Sequence, residues 1–431
     1  MKRRFFLLLL AACLGLSACQ TQHLPGSDSN RPAVPKDTTE KPTEASTKTP
    51  VTDSVPSEPI PTLPKVPTAE GLGFTDLDNG LISYLRDTGM AQESFTVSPL
   101  SYKAALALAA LGAEKETQAQ ILSTLGFESV EELTRWYASV LVGVADFEGR
   151  NYGFDKSDCD YRVVNAIFHN ADCDGEFRET YKEAVARALA AQATSYPAGE
   201  LTASINEWVN DQTSGMIPSI VEDVSEAAAV LVNALYLKTK WIEPFGDSPL
   251  TDFTTVRGET VKKEFFTRTE KYGYYEDDGC QLVILPLHGG INMAVILGDG
   301  AGLPAKLGAA QSRKVCVSLP KFEVETSLSN KELVKYLKAV GCGKMFEDGV
   351  AEFDPMFTDG IYVDDIIQKA KVKVDENGLE AAAATAVIMV KNTALPNPEE
   401  PVPFTANRPF QFVIYREDAA PELLFWGQIM E

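Results

Sequence analysis

Histidine is nearly missing from this chain, with only His23, His169 and His288 among 431 residues. His23 sits in a Pro/Thr-rich stretch, His169 closes a β-branched run, and His288 precedes Gly289-Gly290, so no pair of them suggests acid–base work. The GxSxG, HExxH, CxxC and Walker signatures are absent too. Gly298, Gly300 and Gly302 alternate, but they lack a strand-to-helix phosphate geometry and read as a turn. The acidic pairs Asp277-Asp278 and Asp364-Asp365 read as solvent-facing. Nothing here implies a metal, a cofactor or a catalytic set.

A disulfide framework is missing as well. Beyond the N-terminal segment the cysteines are Cys159, Cys173, Cys280, Cys316 and Cys342, an odd set at scattered spacings. Cys159 and Cys173 flank the run Tyr161 to Asn170, which reads as one strand and holds them roughly 30 Å apart, far beyond disulfide reach. Buried, structural thiols are the expected role for most of the five. Excess positive charge is also lacking. The net charge is −22, or about −25 without Lys2, Arg3 and Arg4, which excludes nucleic acid and direct adhesion to anionic lipid as partners. No basic stripe marks the early helices, so no heparin-like activator is expected.

No apolar run is long enough for an ordinary membrane span. The first residues instead show a positive n-region, an apolar run from Phe5 to Leu10, and Leu16-Ser17-Ala18-Cys19. This pattern reads as a secretory signal over 1–18. Leu-Ser-Ala-Cys resembles the lipobox of bacterial lipoproteins, which implies cleavage before Cys19, lipidation of that residue, and a lipid-anchored place in the bacterial cell envelope facing the extracellular or periplasmic space. Plain secretion is the alternative. Gln20 to Pro67 holds ten of the 25 prolines and no Phe, Tyr or Trp. It cannot build a core, and 19–67 reads as a lipidated cysteine on a disordered tether with a reach of roughly 40 Å as flexible coil.

Residues 68–431 have globular composition without a second linker or repeat. Ser98-Pro99 opens an apolar helix through Leu111; Glu131 to Val144, Glu176 to Leu189 and Leu201 to Thr213 continue the helical series. Strands are expected at Ala228 to Lys238, Cys280 to Pro286, Asn292 to Leu297, Arg313 to Val324, Ile366 to Val374, Phe410 to Tyr415 and Glu422 to Met430. Helices early and strands late give an α+β fold with large, mostly antiparallel sheets. One segment fits neither class. Asp375 to Val390 opens with turn chemistry, passes through four alanines and ends in β-branched residues, a composition able to hold two conformations.

Several motifs resemble the serpins, in order, from about Gly71 to the end. FTVSPLSYKAALALAALGA and TQAQILSTL resemble the family's second and third helices, and INEWVNDQTSGMIPSIV with AVLVNALYLKTKWIEPF its sixth helix and a central strand. LPKFEVETSLSNKELVKYLKAVG resembles a strand-to-helix passage, FTANRPFQFVIYREDAAPELLFWGQIME the C-terminal signature, and KVKVDENGLEAAAATAV the reactive-loop hinge. The resemblance implies a serpin fold: a large central sheet plus further sheets, about eight or nine helices, and an exposed reactive-centre loop over about 376–403. It also implies a protease inhibitor rather than an enzyme, a monomeric suicide substrate for serine proteases, with papain-like cysteine proteases as a second class. The target forms a covalent acyl complex, and the cleaved loop enters the central sheet before water releases it. The competing expectation is a serpin-fold binding protein whose loop is cleaved without trapping.

Site residues follow from the same resemblance. Glu376, Gly378, Leu379, Glu380, Ala381, Ala382, Ala383, Ala384 and Thr385 match the hinge, with Gly378 as the turning point. Leu379 departs from the small residue usual there, which predicts slower insertion or a local accommodation. Ser98, Ser101, Asn233 and Gln368 match a sheet-opening polar cluster, with Gln368 where histidine is usual; its amide can donate and accept, without histidine's pH response. Counting from Glu376 puts the reactive bond at Asn392-Thr393, with Lys391-Asn392 as the rival. Pro396, Pro398, Pro401 and Pro403 stiffen the arm beyond.

Overall fold

A computed structural model describes residues 75–328, 332–379, 400–417 and 422–431, apart from the side chains of 247 and 248. Cys19, the tether and the segment 380–399, including Glu380, Ala381 to Thr385, Lys391, Asn392 and Thr393, lie outside the described residues.

Four helices come early in the described chain: α1 (Asp76–Asp87), α2 (Pro99–Gly112), α3 (Lys115–Leu125) and α4 (Val130–Arg150). The Ala/Leu run of α2 is apolar on every side and is buried almost throughout, as a helix inside the core must be. Its start follows local chemistry: Ser98 is the N-cap, accepting from the Ser101 amide, and Pro99 supplies the first helical turn. Further along come α5 (Glu179–Leu189), α6 (Ala198–Gln212), α7 (Leu303–Ala309) and α8 (Glu332–Ala339), eight α-helices among the described residues.

The strands form two sheets. The larger runs β1 (Phe95–Val97), β15 (Glu422–Ile429), β14 (Phe410–Arg416), β8 (Ile291–Gly298), β7 (Cys280–Leu287), β6 (Thr260–Asp277), β9 (Gln311–Pro320) and β13 (Val402–Thr405), with β5 (Gly246–Thr254) paired to β6. The six-stranded sheet runs β10 (Phe322–Leu328), β11 (Asp365–Val374), β12 (Gly378–Leu379), β4 (Ala229–Lys240), β2 (Asp160–Asn170) and β3 (Gln192–Tyr196). Most neighbours are antiparallel; β2–β3, β4–β11 and β9–β13 are parallel.

Alternation gives the six-stranded sheet two faces. Ile366, Ala370, Val372 and Val374 of β11 join the main core with Leu231, Leu235 and Leu237 of β4. On the opposite face Val230, Val232 and Ile367 pack under α6 with Leu201, Ile205 and Val209. Asn206 of α6 binds the chain that follows it, accepting from the amides of Ile220 and Val221 at 2.8 and 3.0 Å.

Several expectations need correction. The strand expected over Arg313 to Val324 is two, β9 and β10, broken at Lys321 because Pro320 ends the first and the chain changes sheets. Gly298 and Gly302 both have positive φ, as a turn requires, but they do lead from a strand into a short helix, α7. Asp364 and Asp365 are half-buried at the start of β11 rather than solvent-facing. The helix expected to stop at Val144 runs on to Arg150. Long β6 had no forecast: its outward side chains are Glu, Lys, Arg and Thr, so the alternating apolar signal is diluted. Cys159, Cys280 and Cys342 are buried free thiols, while Cys173 and Cys316 are half-buried.

Candidate functional site

The six-stranded sheet is only partly closed at its middle. Parallel pairing between β4 and β11 covers Val230 with Asp365, Leu231 with Ile366 and Val232 with Ile367, and then stops. Beyond this the two strands share no backbone pairing among the described residues until β12 enters from the far end. Gly378 lies opposite Lys240, and Leu379 lies opposite Thr239 on one side and Val374 on the other, antiparallel to both strands. Gly378 and Leu379 of the hinge are therefore already a strand between β4 and β11.

The turn that feeds β12 is fixed by residues on the end of β4. Trp241, buried, donates its backbone amide to the Asn377 carbonyl at 3.0 Å and its indole Nε1 to the Asp375 carbonyl at 2.8 Å. The Phe245 amide donates to the Glu376 carbonyl at 3.0 Å, and the Asp375 amide to the Gly378 carbonyl at 3.1 Å. The Glu376 carboxylate pairs with Lys321 at 2.7 Å, joining the hinge to the break between β9 and β10. Burial raises the Asp375 carboxyl above its ordinary range, its side chain also accepting from the Asn377 amide at 2.7 Å.

Gly378 has φ +152°, and a Cβ there would stand 2.2 Å from the Thr239 carbonyl oxygen and 2.7 Å from Lys240 Cα. The residue is needed both for its backbone angle and for the close approach of β4. Leu379 is buried against the main core, on the same face as Val374. An apolar side chain at this position is thus accommodated in the uncut chain.

Where pairing stops, buried polar groups begin. Ser98, Ser101, Asn233 and Gln368 are each at most 3% exposed. The Gln368 carboxamide grips the Ser98 backbone twice, Oε1 accepting from N at 3.0 Å and Nε2 donating to O at 2.7 Å. Both halves of the amide are used, as its donor and acceptor pair allows. Asn233 turns elsewhere: its Nδ2 donates to Asn165, whose own Nδ2 donates to the Tyr137 hydroxyl of α4. Asn233 Oδ1 is buried and has no hydrogen-bond partner among the described residues. The four residues therefore form two adjoining networks rather than one.

Sequence reasoning gave no role to Trp241, Phe245, Lys321, Asn165 or Tyr137. Trp241, Phe245, Lys321 and Asn165 stood in WIEPF, LPKF and YRVVNAIFHN and Tyr137 in the α4 helix, but only the fold brings the first three to the hinge and the last two to Asn233. Among the described residues no cluster of His, Cys, Asp and Glu is arranged to hold a metal ion, and no helix is long and apolar enough to cross a membrane.

A mixed α and β body whose six-stranded sheet parts between β4 and β11 around the short strand β12 is an arrangement shared with a known fold class. The family described as Serpin (serine protease inhibitor) matches residues 81–431, and the chain belongs to the serpin family. It is 28% identical over 367 residues to the human leukocyte elastase inhibitor, covering 77% of this chain and 91% of that protein. It is 30% identical over 373 residues to Serpin-Z1A of Triticum aestivum, covering 79% and 90%. Among solved structures, thyroxine-binding globulin in complex with thyroxine superposes with a TM-score of 0.69 at 20% identity, covering 83% of this chain and 97% of that one, and this likeness concerns the fold.

Proposed function

We propose that the chain inhibits serine proteases as a suicide substrate, trapping the acyl-enzyme when the cleaved loop completes the six-stranded sheet. One observation carries the reading: the short strand Gly378–Leu379 already lies between β4 and β11, Gly378 pairing with β4 and Leu379 with both, where the two strands part beyond Val232 and Ile367. Further insertion adds backbone hydrogen bonds to two waiting strands and needs no new fold. The native state stores this free energy, and cleavage frees the segment to release it. About 15 residues at ~3.3 Å each carry an attached protease on the order of 50 Å. The bait is the bond Asn392-Thr393, with Lys391-Asn392 as the adjacent register, and papain-like cysteine proteases are a second target class. Cys19 lipidation holds the inhibitor, as a monomer, on the bacterial envelope.

The test is incubation of the full chain with trypsin-, elastase- and subtilisin-like proteases. A 1:1 complex that survives denaturing electrophoresis, together with a released C-terminal peptide beginning at Thr393 or Asn392, supports the reading. Cleavage by each protease without any complex refutes trapping and leaves a serpin-fold binding protein.

A further inference from the structure

In the larger sheet, β13, β9 and β6 share one outward face. Alternation puts Thr267, Thr269 and Lys271 of β6 on it, opposite Ser318, Cys316 and Lys314 of β9. The intervening residues turn inward, Tyr272 and Val315 being buried in the main core. Pro403 and Thr405 of β13 extend the face, opposite Cys316 and Ser318. Among these described residues there is no carboxylate, in a chain whose net charge is −22.

The two charges of this face stand directly across from each other. Lys271 is the register partner of Lys314, the first exposed and the second half-buried. Like charges opposed in this way weaken a strand pair. Neither lysine has an ion pair among the described residues. Glu270 belongs to the other face, where it reaches Arg268 at 3.8 Å, and exposed Glu400 pairs with neither lysine. Stability of the fold gives no reason for the pair, so its counter-charge comes from outside the chain.

Position indicates what brings that charge. β13 runs parallel to β9 with Val402 opposite Val315, so the chain enters β13 at the Lys314 end of the face. A protease attacking the bait ahead of Glu400 approaches this end of the sheet. We propose that Lys271 and Lys314 dock an acidic patch on the attacking protease and so select among proteases of equal cleavage preference. The inference rests on the proposed function and names a partner surface for it. Two cations without a local counter-ion steer an acidic partner toward the bait and disfavour a basic one. Short Ser, Thr and Cys side chains beside them leave the ammonium groups as the longest reach on the face.

The test uses the full chain and its variants Lys271→Gln, Lys314→Gln and the double change, with anionic and cationic trypsin, which cut after the same residues and differ in surface charge. The readout is the rate at which intact chain is lost by cleavage in the bait, at about 50 mM salt. Each single change is expected to slow anionic trypsin about twofold and the double change about three- to tenfold, with cationic trypsin unaffected. Reversing both charges, Lys271→Glu with Lys314→Glu, is expected to slow anionic trypsin further and to speed cationic trypsin. At about 1 M salt, where the screening length is about 3 Å, these differences vanish. An unchanged rate in the double variant, or an equal loss with both trypsins, overturns the docking site.

Loss of intact chain counts trapped and freely cleaved molecules alike, so a failure of trapping leaves this readout standing. A second measurement asks whether the lysines serve the fold instead. The double Gln variant is expected to keep or raise the urea midpoint, because it removes a like-charge pair. A lowered midpoint marks the lysines as structural and overturns the proposal.

Discussion

Gln368 and Asn233 stand across from each other one residue past the last backbone pair of β11 and β4, yet their side chains serve different networks. Gln368 is spent on the Ser98 backbone, and Asn233 bonds Asn165 while its Oδ1 stays buried without a partner among the described residues. A buried acceptor without a donor costs about 1–3 kcal/mol, and the sheet carries that cost where it must open.

The proposed insertion, continuing the register of Leu379, is expected to bring position 385 opposite Gln368 and Asn233. If insertion occurs in that register, the Thr385 hydroxyl is expected to donate to Asn233 Oδ1, which has no partner among the described residues. Thr385→Val is expected to destabilise the cleaved form by about 1 kcal/mol and to leave the uncleaved form unchanged, measured by denaturant unfolding of each.

Gly378→Ala places a methyl group 2.2 Å from the Thr239 carbonyl oxygen. The strained backbone and the clash together cost about 1–3 kcal/mol and expel β12 from its slot. The variant is expected to be cleaved as a substrate, with complex formation reduced at least about tenfold. Titration of active protease against the variant gives the stoichiometry that decides this.

Much of this site was legible in sequence, for physical reasons. The Ser98-Pro99 cap, the apolar α2 and the small hinge residues are local signals, and each depends on neighbours in the chain. Trp241 and Lys321 could not be read so, because their partners Asp375 and Glu376 are distant in sequence and contact them through backbone carbonyls and one ion pair. The split of the polar cluster into two networks was equally hidden. Asn165 gives no outward sign in a strand pattern that it will take the Asn233 amide.

Lys103 lies buried between Asp78 at 3.4 Å and Glu422 at 3.3 Å, tying α2 to the last strand. Burial raises the Glu422 carboxyl above its ordinary range, with Lys103 opposing that rise. Lys103→Met leaves two buried carboxylates facing each other without a cation. A loss of about 3–5 kcal/mol is expected, read from the urea midpoint at neutral pH.

His169 is 1% exposed, with Nδ1 3.2 Å from Ser195 Oγ and its ring centroid 4.5 Å from that of Phe357. Burial lowers its pKa below the ordinary 6.5. The unfolded chain therefore takes up this proton first, so stability contributed at neutral pH is lost as pH falls through 6.5. His169→Gln is expected to flatten that fall in urea midpoints between about pH 7.5 and 5.5. The opening cluster, built on Gln368, is expected to add no inflection to inhibition rates near pH 6 to 7, whereas Gln368→His introduces one.

The central claim is that the cut loop continues the strand begun by Gly378 and Leu379, and the thermal stability of the cleaved chain tests it most directly. The loop is cut with a protease that is then removed, and unfolding is followed by circular dichroism beside the uncut protein. The account predicts a large rise in the thermal midpoint, because the sheet gains a strand paired on both sides. An unchanged or lower midpoint contradicts it.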